Sequence, residues 1–331
     1  MERFVIKRLA SLILIIIAAA IVVFTLMYLV PGDPAQLMLG LDAKEAVLKA
    51  KRAELGIDQP YLVQLGKYLY KSFIPKTIEY TGKIGIFDFG NSWKFGVPVF
   101  NEMKLRLPRT ILIGLGGMLL SVTLGTYLGI FAATHEGKWQ DSLTMVLAMF
   151  LISAPGFWVA LMFILLFSLK LGWLPPYGIG SWKHYILPIL CGSLGGTAIN
   201  ARQARSAMLE VVRADYVTTA RAKGQKEKVV VKKHMLPNAM MPILTGVGGG
   251  LAGIVAGSPV MESVFSIPGV GAYMLSGVNQ RDRPVVCGCV VFFAAITGLS
   301  MLLLDLAYGF LDPRIKAQYS RHRTPENKAK G

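Results

Sequence analysis

The chain has 331 residues, of which 53% are hydrophobic and only 16% charged, and its mean hydropathy is +0.52. Soluble domains carry about 25% charged residues, so this composition indicates a membrane protein and argues against an ordinary soluble domain. The formal net charge of +16 raises the alternative of a nucleic-acid-binding protein. Most Lys and Arg residues flank long apolar runs, however, as they do in the cytoplasmic loops of membrane proteins.

The first apolar run, Leu9 to Val30, contains no charged residue and exceeds the roughly 20 residues that cross a bilayer core. Basic residues precede the run and three alanines lie within it, so a signal peptide is the alternative. The run is longer than the core of a signal peptide, which has about 7–15 residues. An uncleaved membrane helix is therefore favoured.

Residues 31–105 are predicted to form a small ordered extracytoplasmic region of mixed structure. The stretch "LDAKEAVLKAKRAELG" reads as a helix that begins at Asp42, with Glu45 in the capping-box position and Gly56 as its stop. The remainder is divided into turns by Pro31, Pro34, Pro60, Pro75 and Pro98.

Five further membrane crossings are predicted from apolar runs of sufficient length. The fourth is the weakest, because proline and glycines interrupt it, and a kinked crossing is favoured there over a surface loop. The five runs are Thr110–Ala133, Ser142–Leu169, approximately Tyr185–Ala201, Met241–Met261 and Pro284–Phe310.

The distribution of charge predicts the orientation. Residues 1–8 carry three basic and one acidic side chain, residues 201–241 nine and three, and residues 312–331 six and two. Six crossings put these segments on one side of the membrane, and their excess of Lys and Arg predicts that this side is the cytoplasm. Both termini are then cytoplasmic.

Motifs of catalytic chemistry are missing from the sequence. No G-x-x-x-x-G-K-[ST] loop for nucleotide phosphates occurs, and no G-x-S-x-G nucleophile motif. The four histidines lie far apart in the sequence, without the spacing of a zinc site. Cys191, Cys287 and Cys289 lie in apolar runs, where packing roles are favoured. We therefore expect neither catalysis nor a bound metal or cofactor in this chain.

Acidic residues are rare in the predicted crossings, which argues against a proton- or sodium-coupled carrier. Asp305 is embedded in the sixth crossing, and Glu262 lies at the outer end of the fifth. Pairing with basic groups at the interface explains each residue, and a position on the substrate path is the alternative.

Glycines recur at four-residue spacing in two crossings, which permits close approach of helices in a membrane. Gly125 and Gly129 do so in the second crossing, and Gly249, Gly253 and Gly257 in the fifth. The face formed by the latter three is expected to pack within the chain or against a second membrane subunit, or to line the pore.

The loop over residues 202–240 contains no apolar run of membrane length and includes "DYVTTARAKG". Asp215 is predicted to cap a short helix and Gly224 to end it. Ala220, with Thr219 and Lys223 nearby, forms a small-residue face with a basic rim. So narrow an apolar side predicts docking onto another body, and a solvated loop that only sets the topology is the alternative.

This loop resembles the cytoplasmic signature of ABC-importer permeases, E-A-A-x-x-x-G followed after nine residues by I-x-L-P. Ala220 matches the second alanine, Gly224 the glycine, and Leu236 and Pro237 the final pair. Departures from the generic signature occur at Thr218, Thr219 and His234. More broadly, the chain is similar to the first-type permease of the dipeptide/oligopeptide/nickel importer family, through "VPGDPA", "LGIDQP", "FGNSW", "LGWLPPYG", "ESVFSIPGVG", "RDRPVVCG" and "LDPRI".

The resemblance implies an all-α membrane protein with six transmembrane helices in the type I ABC importer permease fold, in a bacterial or archaeal cytoplasmic (inner) membrane. Its parts would be transmembrane helix 1 in 1–30, the extracytoplasmic region in 31–105, a permease core of five helices in 106–311 with a coupling loop in 202–240, and a basic cytoplasmic tail in 312–331.

The resemblance also implies a function as half of a translocation pore for di- and oligopeptides, with nickel chelates, glutathione-like molecules and other small solutes as alternatives. Partners would be a second permease, two ATPase subunits that bind ATP and Mg, an extracytoplasmic substrate-binding protein and membrane lipid, without nucleic acid. An ATP-independent channel or secondary carrier, or a membrane scaffold, is the competing class. Contacts with the ATPase would come from Asp215, Tyr216, Thr219, Ala220, Arg221, Ala222, Lys223, Gly224, Leu236 and Pro237.

Overall fold

A computed structural model of the chain describes residues 2–40, 42–74, 76–77, 84–85, 88–240, 243 and 259–311, which are mainly helical. Several predictions fall outside this part: the tail 312–331, most of the fifth crossing with Gly249, Gly253 and Gly257, and the side chain of Asp305.

The elements follow one another in a mostly helical order. They are α1 (Glu2–Leu29), α2 (Pro34–Leu39), α3 (Glu45–Leu55), α4 (Tyr61–Phe73), β1 (Lys76–Thr77), β2 (Ile84–Gly85), α5 (Val99–Thr134), α6 (Trp139–Ser153), α7 (Gly156–Phe163) with a π-helical continuation (Ile164–Lys170), α8 (Lys183–Val212), α9 (Asp215–Ala222), α10 (Glu227–Val229) with a π-helical continuation (Val230–Met235), α11 (Pro259–Val264), α12 (Val270–Asn279) and α13 (Arg283–Leu311).

Three helices in the described part are long and apolar enough to cross a membrane: the stretch Arg8–Leu29 of α1, α5, and the stretch Arg283–Leu302 of α13. A fourth span results if the bent pair formed by α6 and α7 counts as one. The helix α8 has 30 residues, which is sufficient length, but its glycine, serine and threonine content makes it less apolar than these spans.

The predicted third crossing, Ser142–Leu169, is not one straight helix. Its two halves, Trp139–Ser153 and Gly156–Lys170, meet at an angle of 104°. The cause is Pro155, because a proline disfavours helical geometry in the residue before it. Ala154 accordingly has extended dihedral angles, with φ of −72° and ψ of 129°.

The helices α5 and α8 run parallel and approach each other through glycine. A Cβ atom added to Gly125 would lie 2.6 Å from the Cβ of Asn200 and 2.7 Å from the carbonyl oxygen of Thr197. Gly129 lies equally tightly against α8, facing Ala204. The predicted glycine face of the second crossing therefore packs against a helix of the same chain, as van der Waals contact between membrane helices requires.

The helix α4 packs on the end of α1 and the start of α13, through Tyr61, Leu65 and Tyr68. The helix predicted within residues 31–105 begins later than expected, because Lys44 occupies the N-cap and Glu45 the first turn, so Asp42 is not its cap. Gly56 ends the helix, as predicted. The side chain of Ser92 donates to Oδ2 of Asp282 at 2.5 Å, which fixes the loop before α5 to the segment before α13.

Two buried clusters define the two ends of the molecule. Val99 and Met103, at the start of α5, pack with Ile16 and Ala20 of α1. Ala133, at the other end of α5, packs with residues of α8 and α9. Since α5 has 36 residues and a helix rises about 1.5 Å per residue, α4 and α9 lie on opposite sides of a membrane-spanning bundle.

Candidate functional site

The short helix α9 forms where the chain turns after α8. Ala214 occupies its N-cap with an extended ψ of 143° and makes no side-chain cap, so the prediction that Asp215 is the cap is wrong. Asp215 lies in the first turn instead, where its negative charge interacts favourably with the helix dipole. Asp215 is the one acidic residue in this turn. Because a helix of eight residues is too short to be stable in isolation, α9 needs tertiary contacts.

Those contacts come from the apolar side of α9. The side chain of Val217 is fully buried and that of Ala220 is 5% exposed. Both belong to one cluster with residues of α8 and of the segment after α9, namely Ala204, Ala207, Met208, Val230, Met235, Ala239 and Ile243. The body onto which Ala220 docks is therefore the chain's own helix bundle. The sequence analysis did not identify Val217; its three-residue spacing from Ala220, which puts both residues on one face of a helix, is the signal that could have found it.

The opposite side of α9 is exposed. Tyr216 is 44% exposed, and the remaining exposed positions include both acidic and basic groups. Among the residues predicted to contact an ATPase, the exposed ones are Asp215, Tyr216, Thr219, Arg221, Ala222, Lys223, Gly224 and Pro237. The exposed members from Asp215 to Gly224 form the outward surface of α9, whereas Ala220 is buried and Leu236 is half-buried.

The end of α9 is a Schellman motif. The N–H of Gly224 donates to the carbonyl of Arg221 at 2.9 Å, and the N–H of Gln225 to the carbonyl of Ala220 at 3.4 Å. Gly224 has a φ of +72°, a left-handed conformation that glycine adopts without steric cost. The predicted role of Gly224 as the helix stop is confirmed.

Two polar contacts connect α9 to the segment that follows it. The guanidinium of Arg221 forms two hydrogen bonds with the carboxylate of Glu227, at 2.7 and 3.1 Å. This pairing lowers the pKa of Glu227 and raises that of Arg221. Both groups are largely solvated, so the pair contributes about 1 kcal/mol or less. Nε2 of His234 also lies 2.9 Å from Oε1 of Gln225.

Leu236 and Pro237 follow the π-helical residues Val230–Met235. Leu236 is half-buried against the cluster that holds Ala220, and Pro237 is exposed. A proline in a helix removes one hydrogen bond and crowds the carbonyl four residues earlier, and this carbonyl lies in the widened π-helical stretch. Leu236 therefore packs on the buried side of α9, whereas Pro237 is accessible to solvent.

An ion pair that the sequence analysis missed lies at the same end of the bundle. The guanidinium of Arg205 in α8 donates to both carboxylate oxygens of Asp141 in α6, at 2.6 and 2.7 Å. The N–H of Gly137 also donates to Asp141, whose side chain is 6% exposed. No short-range pattern connects residues so far apart in sequence. The pair ties the turn between α5 and α6 to the helix that carries α9.

Glu262, predicted as a candidate for the substrate path, is buried, with 1% exposure. Its carboxylate accepts hydrogen bonds from Oγ1 of Thr110 at 2.7 Å and from the N–H of Ala272 at 2.8 Å. Thr110 accepts in turn from the N–H of Val270. In this conformation Glu262 joins α11 and α12 to α5, which is a structural role.

The described residues contain no group of three or more His, Cys, Asp or Glu side chains with the proximity of metal ligands. The cysteines Cys191, Cys287 and Cys289 are free and buried, as small packing residues are.

Comparison with known families gives two matches that together cover nearly the whole chain. Residues 125–317 match "Binding-protein-dependent transport system inner membrane component". Residues 1–114 match the N-terminal part of the membrane component of binding-protein-dependent transport systems. The second match contains α1 to α4, and the first contains α9 and the helices around it.

Individual proteins are similar over almost their full length. A glutathione transport system permease protein of Salmonella paratyphi A is 38% identical over 96% of this chain and 99% of its own length. Its counterpart in Escherichia coli strain K12 is 36% identical over the same shares. A crystal structure of an amino acid ABC transporter is 17% identical and covers 65% of this chain and 94% of its own, with a TM-score of 0.46.

The burial of Ala220 predicts a contrast with its exposed neighbour Ala222. The variant Ala220→Leu must fit extra methylenes into a packed cluster, which costs about 1–3 kcal/mol. We expect a lower midpoint of thermal unfolding for Ala220→Leu in detergent and an unchanged midpoint for Ala222→Leu. Equal midpoints for the two variants would contradict the packing of α9.

Proposed function

The chain belongs to the family of binding-protein-dependent transport system inner membrane components, the permease subunits of ABC importers, and we propose that its α9 is the helix through which a separate ATPase drives transport. The proposed contact lies on the outward surface of α9 and is centred on Tyr216, Thr219, Ala222 and Lys223. ATP and Mg belong to the ATPase in this proposal, and the chain itself is not catalytic.

The observation that supports this proposal best is the two-sided environment of α9. Its apolar side is buried in the bundle, whereas Tyr216 is 44% exposed. A large aromatic residue on an otherwise polar exposed surface is typical of a protein–protein contact, since aromatic residues are enriched there. A loop that only set the membrane topology would need neither feature.

A mechanical path from α9 into the membrane follows from the packing. Val217 and Ala220 share a cluster with Ala204 of α8, and Ala204 lies against Gly129 of α5. Close-packed interiors transmit displacement because they have little free volume. A force on α9 therefore moves α8 and α5 together, as a rigid-body transition between two packings requires.

The remaining partners follow from the two sides of the bundle. We assign residues 31–98 to the extracytoplasmic side, where they would meet a substrate-binding protein, and α9 and both termini to the cytoplasmic side. This orientation is supported by the excess of Lys and Arg around α9. A second, homologous permease and two ATPase subunits would complete the complex. In this proposal the chain receives the force, and the ATPase subunits generate it.

Blocking the outward surface should uncouple the ATPase. The variant Ala222→Trp adds a bulky side chain at an exposed position of α9, so we expect at least a roughly tenfold lower yield of co-purified ATPase, equivalent to about 1.4 kcal/mol. Substrate uptake should fall in parallel. Ala50→Trp, at an exposed alanine of α3 on the opposite side, serves as the control and should retain the ATPase.

Full uptake and full ATPase recovery in the Ala222→Trp variant would contradict the proposed contact. The competing proposal, an ATP-independent channel or secondary carrier, expects no ATPase in the purified complex of either variant or of the unmodified chain.

The substrate class that we propose is small peptides, including glutathione-like tripeptides. The support is the name of the relatives with 36–38% identity, which are glutathione transport system permeases. The paucity of metal-ligating groups in the described residues gives no positive support to nickel. Selection among peptides would rest mainly on the binding protein.

Growth of a strain lacking this chain tests the substrate class. We expect loss of growth when glutathione or a defined dipeptide is the only sulfur source, and restoration by the unmodified gene. Nickel-dependent growth should be unaffected. A strain that loses only nickel-dependent growth would contradict the peptide proposal and leave the role of α9 standing.

A further inference from the structure

A cavity of about 240 Å³ lies beside the end of α1, on the side of the bundle that carries α3 and α4. Its walls come from α4, from the loop before α5 and from the start of α13. Three cationic side chains line it, those of Lys67, Lys71 and Arg283. None of the lining residues, all of which belong to the described part, is Asp or Glu.

Lys67 and Lys71 bring like charges together on one face of α4. They are separated by four residues, a spacing that makes side chains neighbours on a helix and destabilises it when both carry the same charge. The ammonium of Lys67 donates to Oε1 of Gln59 at 2.7 Å, which is a neutral acceptor. The positive charge of this face is thus left without a carboxylate from the cavity wall.

Arg283 is held rigidly at the edge of the cavity. Its guanidinium carbon lies 5.0 Å from the ring centre of Phe24 and 5.2 Å from that of Trp93, which are cation–π distances. One nitrogen donates to Oε1 of Gln64 at 2.7 Å, and Nε has no hydrogen-bond partner among the described residues. A fixed planar guanidinium with unused donors matches the geometry of phosphate oxygens.

The surroundings of the cavity correspond to the surface of a membrane. Phe24 lies near the end of one spanning helix and Arg283 at the start of another. The rings of Tyr28 and Tyr61 meet edge to face beside them, and tyrosines are enriched at membrane–water interfaces. On α4, Leu62 is 75% exposed, as expected of a helix whose outer face meets lipid.

We propose that this cavity binds the phosphate of an anionic phospholipid headgroup, with Lys67, Lys71 and Arg283 as its cationic partners. The acyl chains would extend along α1 and α4 into the bilayer. Assigning the lipid to the outer leaflet rests on the proposed orientation of the transporter, whereas the chemistry of the site does not. Binding would anchor α4, and with it residues 31–98, at the membrane surface.

The test is lipid binding to the purified complex, measured by native mass spectrometry with phosphatidylglycerol as the probe and phosphatidylcholine as the neutral comparison. We expect the double variant Lys67→Gln/Lys71→Gln to bind phosphatidylglycerol roughly tenfold more weakly, because two charge-assisted contacts are lost. The double variant Lys44→Gln/Lys49→Gln removes the same charge from exposed positions outside the cavity and should bind as the unmodified complex does.

Three results would overturn the proposal. The first is unchanged phosphatidylglycerol binding in Lys67→Gln/Lys71→Gln. The second is an equal loss in the control variant, which would indicate a general effect of charge. The third is competition by inorganic phosphate as effective as that by phosphatidylglycerol, which would assign the cavity to a free anion. Because binding is read without transport, failure of the proposed role of α9 leaves this test unaffected.

Discussion

The arrangement of the molecule depends on the burial of one side of α9. Eight residues are too few for a stable isolated helix, so α9 exists because Val217 and Ala220 enter the cluster between α8 and the segment after α9. The same burial makes α9 part of the bundle rather than a flexible appendage. Its other side is exposed, and in our proposal a force that the ATPase applies there is passed to α8.

Small residues extend the packed contact between α9 and α8 into the membrane-spanning helices. The helices α5 and α8 touch at Gly125 and Gly129 so closely that a methyl group would not fit at either position. Lipid offers no hydrophobic advantage to helix contact, so such an interface is held by close packing and polar contacts. One polar contact is the hydrogen bond from Asn200 to Ser121 at 2.9 Å. The ion pair of Asp141 with Arg205 then joins α6 to the same unit.

The sequence allowed the helical membrane fold, the family and the stop of α9 at Gly224 to be predicted, because these depend on composition, motif order and the conformational freedom of glycine. It did not reveal that Ala220 points inward, since a narrow apolar side looks the same whether its partner is another subunit or the chain's own bundle. The Asp141–Arg205 pair was missed because contacts between distant segments depend on the packed fold. The predicted domain boundaries, the proposed contact surface and the glycine face in the fifth crossing stay predictions.

The central claim is that α9 moves as one body with α5 and α8. The most direct measurement is the distance between spin labels at Thr218→Cys in α9 and Thr123→Cys in α5, both exposed positions outside the proposed contact, with the three native cysteines replaced by alanine. The assembled complex would be compared without nucleotide and trapped with ATP. The account predicts the same distance in both states. A change of more than about 5 Å, roughly one helical turn, would show that α9 moves independently and would contradict the account.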